Sequence, residues 1–394
     1  MKDIYFDHAA TTKIDDEVLK VMLPYLTKSY GNPSSIYRLA RENKKAIEKS
    51  RENMANIFNC SASEIYFTSG GSESDNWAVK SIAGAYKSKG RHIITSEIEH
   101  HAVLNSCKYL ESQGFRISYL KVNKSGIIEP EELKKNICSD TILVSVMFAN
   151  NEIGTIQDIK KLAEIAHENN ILFHTDAVQA VGYIKIDLTD LGVDAMSISA
   201  HKFYGPKGIG ALYLNKKVKV LPYIHGGAQE FAKRAGTENV AGIVGMGKAL
   251  ELIYNNFEQN NLHIKSLRDK IIDGVLNNIS HVKLNGDREK RLVNNINFSF
   301  EFIEGESLLL LLDAKNIFAS SGSACTSGSL DPSHVLLAIG LPHELAHGSL
   351  RITLGKDNTH EEIDYFLSVL PDIVKKLRDM SPLYEEYLNQ NNLL

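Results

Sequence analysis

The strongest constraint on the fold is an alternation of two kinds of segment between Ile14 and Asn255. Short apolar runs that end in polar residues have the length of buried strands, and four of them are "RHIITSEIEH", "TILVSVMFANNEIG", "ILFHTDAVQ" and "DAMSISAHK". Helical segments such as "DIKKLAEIAHENN" lie between these runs. Strands separated by helices predict an α/β fold, in which a mainly parallel sheet has helices on both faces.

The pattern changes after Asn256. "SLRDKIIDGVLNNI" and "HEEIDYFLSVLPDIVKKLRDM" have helical periodicity, whereas "RLVNNINFSFEF" and "GSLRITLG" are typical of strands. The chain has 394 residues, which exceeds the roughly 250–300 at which single hydrophobic cores stop growing. We therefore expect a large domain over residues 14–257 and a smaller α+β domain formed by residues 1–13 and 258–394.

Composition argues against several classes of protein. Hydrophobic residues at 43% and charged residues at 23% are ordinary for a globular chain, and a net charge of -4 gives no sign of a nucleic-acid or anionic-membrane partner. The N-terminal "MKDIYFDHAATTKID" lacks the apolar stretch of a signal peptide, and no run approaches the ~20 apolar residues that span a bilayer. We expect a cytoplasmic protein without direct nucleic-acid or membrane partners.

Polar residues stand where the predicted strands end, namely at His100, Asn151, Asp176 and Lys202. Ligands of such sheets bind outside the carboxyl ends of the strands. Lysine is a nucleophile only when neutral, and a reference pKa of ~10.4 leaves little neutral amine at pH 7 unless desolvation or bonding to an aldehyde intervenes. A solvated surface lysine is the alternative interpretation of Lys202.

Two further features indicate what the rim binds. In "FTSGGSESDNWAVKSIAGAY" a strand, a turn of small residues and a helix follow each other, so Gly70, Gly71 and Ser72 offer N–H groups and a hydroxyl to a phosphate. A serine cap over a glutamate explains that turn equally well. Asp176 ends a buried strand, and a buried carboxylate needs a cationic partner, which a protonated pyridine nitrogen could be. A salt bridge within the protein or a helix cap is the alternative interpretation of Asp176. Lysine, aspartate and phosphate cradle together suit pyridoxal 5′-phosphate.

With these residues identified, the chain resembles the cysteine desulfurases of the NifS/IscS type, within the class V aminotransferase superfamily. The resemblance covers nearly the whole length and rests on motifs in family order: "YFDHAATT", "GNPSS", "SGGSESDN", "EHHAV", "NNEIG", "HTDAVQ", "SAHKFYGPKG", "RAGTEN", "SSGSACTSG" and "LRITLG". It implies pyridoxal-phosphate fold type I, with a mainly parallel seven-stranded sheet flanked by helices and a smaller α+β domain. It also implies a link to iron–sulfur chemistry.

The resemblance assigns roles residue by residue. Lys202 is implied to bind the cofactor covalently, Asp176 to pair with its pyridine nitrogen, Gln179 with its phenolic oxygen, and His100 to stack on its ring. Other implied contacts to the cofactor come from Gly71, Ser72, Asn151, Ser199 and His201, and from Thr237 of the second subunit of a homodimer. Asn32 and Arg351 are implied to bind the substrate carboxylate. The residues alone also single out Arg351: side chains alternate along the predicted strand "GSLRITLG", so Arg351 points away from its apolar neighbours and could bind a carboxylate. A surface ion pair stays an alternative.

The fourth cysteine stands in an unusual environment. Cys325 lies in a serine- and glycine-rich run that can bury little apolar surface, so we expect a mobile outer loop. A thiolate there could attack the sulfur of bound L-cysteine, leaving L-alanine and a persulfide on Cys325. The loop could then carry this sulfur to an iron–sulfur scaffold or a sulfur-carrier protein. The predicted catalytic residues are Lys202, Cys325 and His100, with Lys202 as the base at the substrate Cα and His100 as acid or base.

Several alternatives compete with this assignment. "HELAH" at residues 343–347 matches the H-E-x-x-H zinc signature of metalloproteases. Pro342 suits the start and Gly348 the end of a helix, which leaves under two turns for a signature that needs a continuing helix. A selenocysteine lyase, an aminotransferase of the same fold and a non-enzymatic iron–sulfur scaffold are further alternatives. The cysteine loop favours sulfur transfer, and we predict no metal ligands.

Overall fold

A computed structural model describes residues 3–321 and 332–391 of the chain, so Cys325 and the loop predicted around it lie outside the described residues. The strands are β1 (Ile4–Tyr5), β2 (Ile65–Thr68), β3 (His92–Ser96), β4 (Arg116–Leu120), β5 (Thr141–Ser145), β6 (Leu172–Asp176), β7 (Ala195–Ser199), β8 (Gly210–Leu214), β9 (Val282–Leu284), β10 (Asn295–Phe300), β11 (Ile317–Phe318) and β12 (Ser349–Thr353).

The helices before residue 200 are α1 (Asp16–Thr27), α2 (Arg38–Phe58), α3 (Gly71–Tyr86), α4 (His101–Ser112), α5 (Pro130–Asn136), α6 (Ile159–Glu168) and α7 (Leu188–Leu191). Those that follow are α8 (Gln229–Ala232), α9 (Val240–Asn255), α10 (Phe257–Asn278), α11 (Gly305–Asp313), α12 (His334–Ala338), α13 (His343–His347), α14 (His360–Asp379) and α15 (Pro382–Gln390). None of them, within the described ranges, is long and apolar enough to cross a membrane.

The large sheet has seven strands in the order β2-β8-β7-β6-β5-β3-β4. All neighbours are parallel except β8, which runs antiparallel to both β2 and β7. The four runs recognised in the sequence are β3, β5, β6 and β7, which lie in the middle of this sheet. The predicted mainly parallel, seven-stranded α/β fold is therefore confirmed.

Burial on both faces explains why the central strands are apolar throughout. Successive residues of one strand enter different clusters: Ile93 packs on the side of α3 and α4, whereas Ile94 packs on the side of α6 and α9. Side chains of a strand alternate between its two faces, so a sheet covered by helices on both sides needs an apolar residue at every position. Cys107 of α4 is fully buried in the first of these clusters, which agrees with its helical spacing.

A second body of apolar side chains gathers around the antiparallel sheet β12-β10-β9 and helices α10 and α14. Ile4 and Phe6 of the N-terminal segment belong to it, and β1 pairs in parallel with β11. This is the smaller α+β part of the fold. The division at residues 13/14 and 257/258 stays a prediction.

The zinc-signature segment folds as the sequence analysis expects. Helix α13 has five residues, its C-cap is Gly348, and β12 begins at Ser349. The two histidine rings lie 4.9 Å apart between centroids. Across the described residues, the group of three possible metal ligands lies elsewhere, at residues 92, 138 and 140. Nothing in this segment supports the metalloprotease alternative.

Candidate active site

The carboxyl ends of the central strands bring Asp176 and Lys202 to one rim of the sheet. Asp176 is the last residue of β6, and β6 pairs in parallel with β7, where Ser197 is the partner of Asp176. Lys202 follows β7 in a single turn of 3-10 helix, Ala200–Lys202. The prediction that consecutive strand ends bring these two residues together agrees with this topology.

The N-terminal segment lies across the Lys202 turn. The Lys202 ammonium donates to the carbonyl oxygens of Ala9 at 2.6 Å and Ala10 at 2.7 Å. The Gln179 amide Nε2 donates to the same Ala9 oxygen at 3.0 Å, and Thr12 N donates to the His201 carbonyl at 2.9 Å. Two neutral carbonyls therefore orient the lysine, and they place Gln179 beside it.

Asp176 is a buried carboxylate that accepts one hydrogen bond, from Val178 N to Oδ1 at 2.9 Å. Burial raises its pKa to about 6, against the opposing effects of the Val178 N–H and the Lys202 charge. Within the described chain, no lysine, arginine or histidine nitrogen lies within 4 Å of this carboxylate. A buried acid with this environment fits the protonated ring nitrogen of pyridoxal phosphate.

A second buried acid lies behind Asp176, on helix α3. Burial raises the pKa of Asp75 well above its usual range, and the charge of Asp176 raises it further. His174 lies 3.8 Å from Asp75 through Nε2, but burial lowers the pKa of His174 to about 3, so this histidine supplies no charge. Burial and the neighbouring carboxylate therefore both favour the protonated form of Asp75. The sequence analysis did not single out Asp75, although it stands inside "SGGSESDN".

The turn between β2 and α3 forms a cradle beside Ser199. Gly70 has φ of +153°, a conformation that residues with side chains rarely adopt. A Cβ placed on Gly70 would lie 3.8 Å from the Ser199 hydroxyl, and one on Gly71 would lie 2.6 Å from a methyl group of Val178. The first-turn N–H groups of α3 have no acceptors inside the helix, and Ser72 is exposed at this end. These donors suit a phosphate.

His100 caps helix α4. Its Nδ1 accepts a hydrogen bond from Ala102 N at 3.1 Å, so in the neutral ring the proton sits on Nε2. Burial lowers the pKa of His100 to about 4, and the positive charge of Lys202 lowers it further. Burial and the charges of Lys202 and Lys207 also lower the pKa of His201 to about 4. Both imidazoles are therefore neutral near pH 7.

Arg351 lies on the opposite face of β12 from Leu350 and Ile352, which are buried in the smaller core. Its guanidinium is buried, pairs with Asp7 at 2.8 Å and donates to the Asn151 carbonyl at 3.3 Å. Nε of Arg351 has no hydrogen-bond partner among the residues described. The ion pair considered in the sequence analysis therefore exists, with the arginine buried and the Asp7 carboxylate partly exposed. Asp7 was missed.

Other predicted residues are not joined to this rim. Asn32 is exposed, and its Oδ1 accepts from Ser34 N at 2.9 Å, which closes a local turn. Thr237 is exposed ahead of helix α9. In the part of the chain that the structure describes, no hydrogen bond links either residue to Lys202 or Arg351. Cys325 lies outside the described residues.

Comparison with known proteins agrees with this geometry. The sequence model of the family "Aminotransferase class-V" matches residues 4–366. The chain is 57% identical over 389 residues to the cysteine desulfurase IscS of Clostridium botulinum, covering 98% of each chain. It is 58% identical to the cysteine desulfurase IscS of Methanosarcina thermophila, covering 97% of this chain and 94% of that one.

Solved structures extend the likeness to three dimensions. A "NIFS-like protein" that is 41% identical superposes with a TM-score of 0.90, over 95% of this chain and 100% of that one. A structure titled "SspA in complex with cysteine" is 38% identical, with a TM-score of 0.80 over 90% and 100% of the two chains. The chain therefore belongs to the class-V aminotransferase family, as a pyridoxal-phosphate-dependent cysteine desulfurase.

Proposed function

We propose that this desulfurase uses Lys202 to hold the cofactor aldehyde, Asp176 to pair with the cofactor ring, and Cys325 to accept the sulfur. One observation carries the proposal: Lys202 and the buried carboxylate of Asp176 meet at one rim of the sheet, where burial raises the pKa of that carboxylate to about 6 against the charge of Lys202. The orienting hydrogen bonds from Lys202 to Ala9 and Ala10 support it, because they fix the amine beside Gln179.

The remaining cofactor contacts follow from the same rim. Gln179 would donate to the phenolic oxygen, and the neutral His100 ring would stack on the pyridine. Asn151 would lie near the ring oxygen. The phosphate would take the N–H groups and hydroxyls at the cradle and at the neighbouring strand end, from Gly71, Ser72, Ser199 and His201. The fit is supported by the conformation of Gly70, which only glycine adopts readily, and by its approach to Ser199.

When bound, the cofactor withdraws electrons from Cα and Cβ of the substrate. The Lys202 amine would take the proton from Cα, because a neutral primary amine is a base. His100 presents an N–H at Nε2, since its Nδ1 already accepts from Ala102 N. His100 would therefore donate a hydrogen bond from Nε2 toward the substrate, and its role as acid or base stays a prediction.

The sulfur step requires a second thiol. The Cys325 thiolate attacks Sγ of the substrate, an S–S bond forms, and the Cβ–S bond breaks. The electron pair of that bond stays with carbon, which takes up a proton. L-Cysteine and the Cys325 thiol thus become L-alanine and a Cys325 persulfide, and no external oxidant or reductant is needed.

Arg351 and Asn32 would bind the substrate carboxylate. Arg351 supports this role through its burial and through Nε, which has no partner among the described residues. Asp7 holds the guanidinium through Nη2 when substrate is absent. A substrate carboxylate would bind alongside Asp7 or displace it, because a guanidinium offers a planar set of donors.

The wider setting is also proposed. We expect a homodimer in which Thr237 completes the phosphate site of the partner subunit, and its exposure is compatible with that. The sulfur acceptor would be an iron–sulfur scaffold or a sulfur-carrier protein in the cytoplasm.

A large domain over residues 14–257 is supported by the break at Asn256 between α9 and α10 and by the second apolar cluster, which includes Ile4 and Phe6.

Spectroscopy combined with product analysis tests the proposal. The absorbance of the cofactor should shift on addition of L-cysteine in both the parent enzyme and the Cys325→Ala variant. Only the parent should then release L-alanine over repeated turnovers. The Cys60→Ser variant is the matched control and should behave as the parent, because Cys60 lies away from the rim. Normal turnover in Cys325→Ala would contradict the proposed sulfur step.

A further inference from the structure

A second cluster of reactive side chains lies at the amino ends of strands β3, β4 and β5 of the large sheet. His92 is the first residue of β3, Arg116 the first of β4, and Thr141 the first of β5. Cys138 and Asp140 stand just before β5. In parallel strands the amino ends collect at the edge remote from the carboxyl ends, so this cluster is separate from the Lys202 rim.

Three possible metal ligands converge there. Nδ1 of His92 lies 3.2 Å from Sγ of Cys138, and one ligand atom from each of His92, Cys138 and Asp140 lies within 4.8 Å of the others. In a tetrahedral zinc site, with Zn–S of ~2.3 Å and Zn–N of ~2.05 Å, ligand atoms are about 3.5 Å apart. Side-chain rotations that move the three ligand atoms by about an ångström or less would bring them into that geometry.

The histidine is prepared to act as a ligand. Its Nε2 is 2.9 Å from the hydroxyl of Ser118, and the tautomer that carries its proton on Nε2 donates to that oxygen. In that tautomer Nδ1 accepts from the Thr141 hydroxyl at 2.7 Å and also faces Sγ of Cys138 at 3.2 Å. A histidine whose second nitrogen is held by a hydrogen bond is the usual form of a metal-binding histidine.

A positively charged side chain already contacts two of the three possible ligands. One Nη of Arg116 donates to Cys138 Sγ at 3.1 Å and to Asp140 Oδ1 at 2.9 Å. The side chains of Arg116 and Asp140 are 53% and 47% exposed, so the guanidinium is free to rotate into water. The sulfur and the carboxylate thus converge on a cation that an incoming ion can replace.

We propose that His92, Cys138 and Asp140 form a zinc site with an open fourth position for water, where Zn²⁺ displaces Arg116 from Cys138 and Asp140 and the Thr141 hydroxyl from Nδ1 of His92. Thiolate, imidazole and carboxylate are the three common protein ligands of zinc. A divalent ion would balance the charges of Cys138 and Asp140, and its binding would release the thiol proton to solvent. The proposal does not depend on the roles assigned at the Lys202 rim.

The test is a titration of the full-length holoenzyme with Zn²⁺ against a chromophoric chelator, in a Cys325→Ser background so that this thiol does not contribute. One tight zinc ion per chain is expected. Cys138→Ser should weaken its binding by at least about 100-fold, and Ser118→Ala by about tenfold through loss of the histidine's orientation. Cys60→Ser is the matched control and should bind as the background does.

Arg116→Gln separates a metal site from a simple ion pair. With the competing guanidinium removed, zinc should bind about two- to fivefold more tightly, in keeping with the modest strength of exposed ion pairs. Equal zinc affinity in the background and in Cys138→Ser, or weaker binding in Arg116→Gln, would overturn the proposal. Circular dichroism and, in the Cys325 parent, zinc-free desulfurase activity serve as folding controls, because the cluster lies away from the proposed catalytic rim.

Discussion

Asp176 and Arg351 are both buried charged groups assigned to ligands, but they differ in what they contact within the protein. Asp176 accepts one backbone N–H and has no cationic side chain within 4 Å in the described residues, and burial raises its pKa. Arg351 is paired with Asp7 at 2.8 Å. A carboxylate that pairs with a resident cofactor has a permanent counter-charge in that cofactor. A guanidinium that binds a passing substrate needs a counter-charge from the protein between turnovers. Four substitutions test that contrast.

The largest effect is expected at Lys202. Lys202→Ala should lower desulfurase kcat by at least about a thousandfold, because the variant loses both the covalent tie to the cofactor and the base at Cα. Lys207→Ala is the matched control: it removes an exposed lysine from the next turn of the chain and should retain activity. Steady-state alanine release measures both, and equal activity in the two variants would remove Lys202 from the mechanism.

Asp176→Asn should lower kcat by about a hundredfold and weaken cofactor binding, since the amide cannot pair with a protonated ring nitrogen.

In the apoenzyme, by contrast, the same substitution should improve stability toward neutral pH. Because the folded pKa of Asp176 is about 6, above its unfolded value, the native state binds more protons than the unfolded state between pH 4 and 6. Stability of the apoenzyme therefore falls as pH rises through this window, and the variant loses this part of the decline, about 2–3 kcal/mol.

Urea unfolding of both apoproteins at pH 4.5 and pH 7 measures this difference. The Asp176→Asn variant should gain stability relative to the parent between the two pH values. An identical pH dependence in parent and variant would mean that Asp176 is neutralised inside the protein, and the contrast with Arg351 would then disappear.

Arg351→Lys should act on substrate binding rather than on the cofactor. Loss of charged hydrogen bonds worth about 1.5–3 kcal/mol predicts a KM for L-cysteine raised about ten- to a hundredfold, with a smaller change in kcat. The absorbance of the bound cofactor should not change. A lowered cofactor occupancy with unchanged KM would place Arg351 at the cofactor instead.

The smallest effect is expected from the partner of Arg351. Asp7→Asn removes the carboxylate that holds the guanidinium, so KM should fall about two- to fivefold if Asp7 competes with the substrate. A rise in KM comparable to that of Arg351→Lys would show that Asp7 positions the arginine for the substrate. The two variants measured side by side distinguish these outcomes.

The sequence was sufficient for the sheet and for part of the rim. The strands β3, β5, β6 and β7 are apolar at every position because both of their faces are covered, and their polar ends therefore stand out. Lys202 and Asp176 could be placed together because parallel neighbours end at one edge. Their roles rested on family motifs, which identify residues but not distances.

Other parts of the site could not be read in this way. The acceptors of Lys202 are backbone carbonyls of Ala9 and Ala10, and a carbonyl group gives no signal in the residue type. Asp7 and Arg351 are 344 positions apart, and β1, which pairs with β11, brings the N-terminal segment to them. Asp75 could have been suspected, since helical spacing places it among buried residues of α3 where a carboxylate is rare.

Borohydride reduction of the purified enzyme, followed by mass mapping of its peptides, tests most directly how the rim works. Reduction makes the bond between lysine and cofactor permanent. The added mass is expected on the peptide that contains Lys202, at one equivalent per chain, and it should be lost from Lys202 when L-cysteine is added before reduction. Modification of another lysine such as Lys207, or no modification at all, would contradict the assignment of the site.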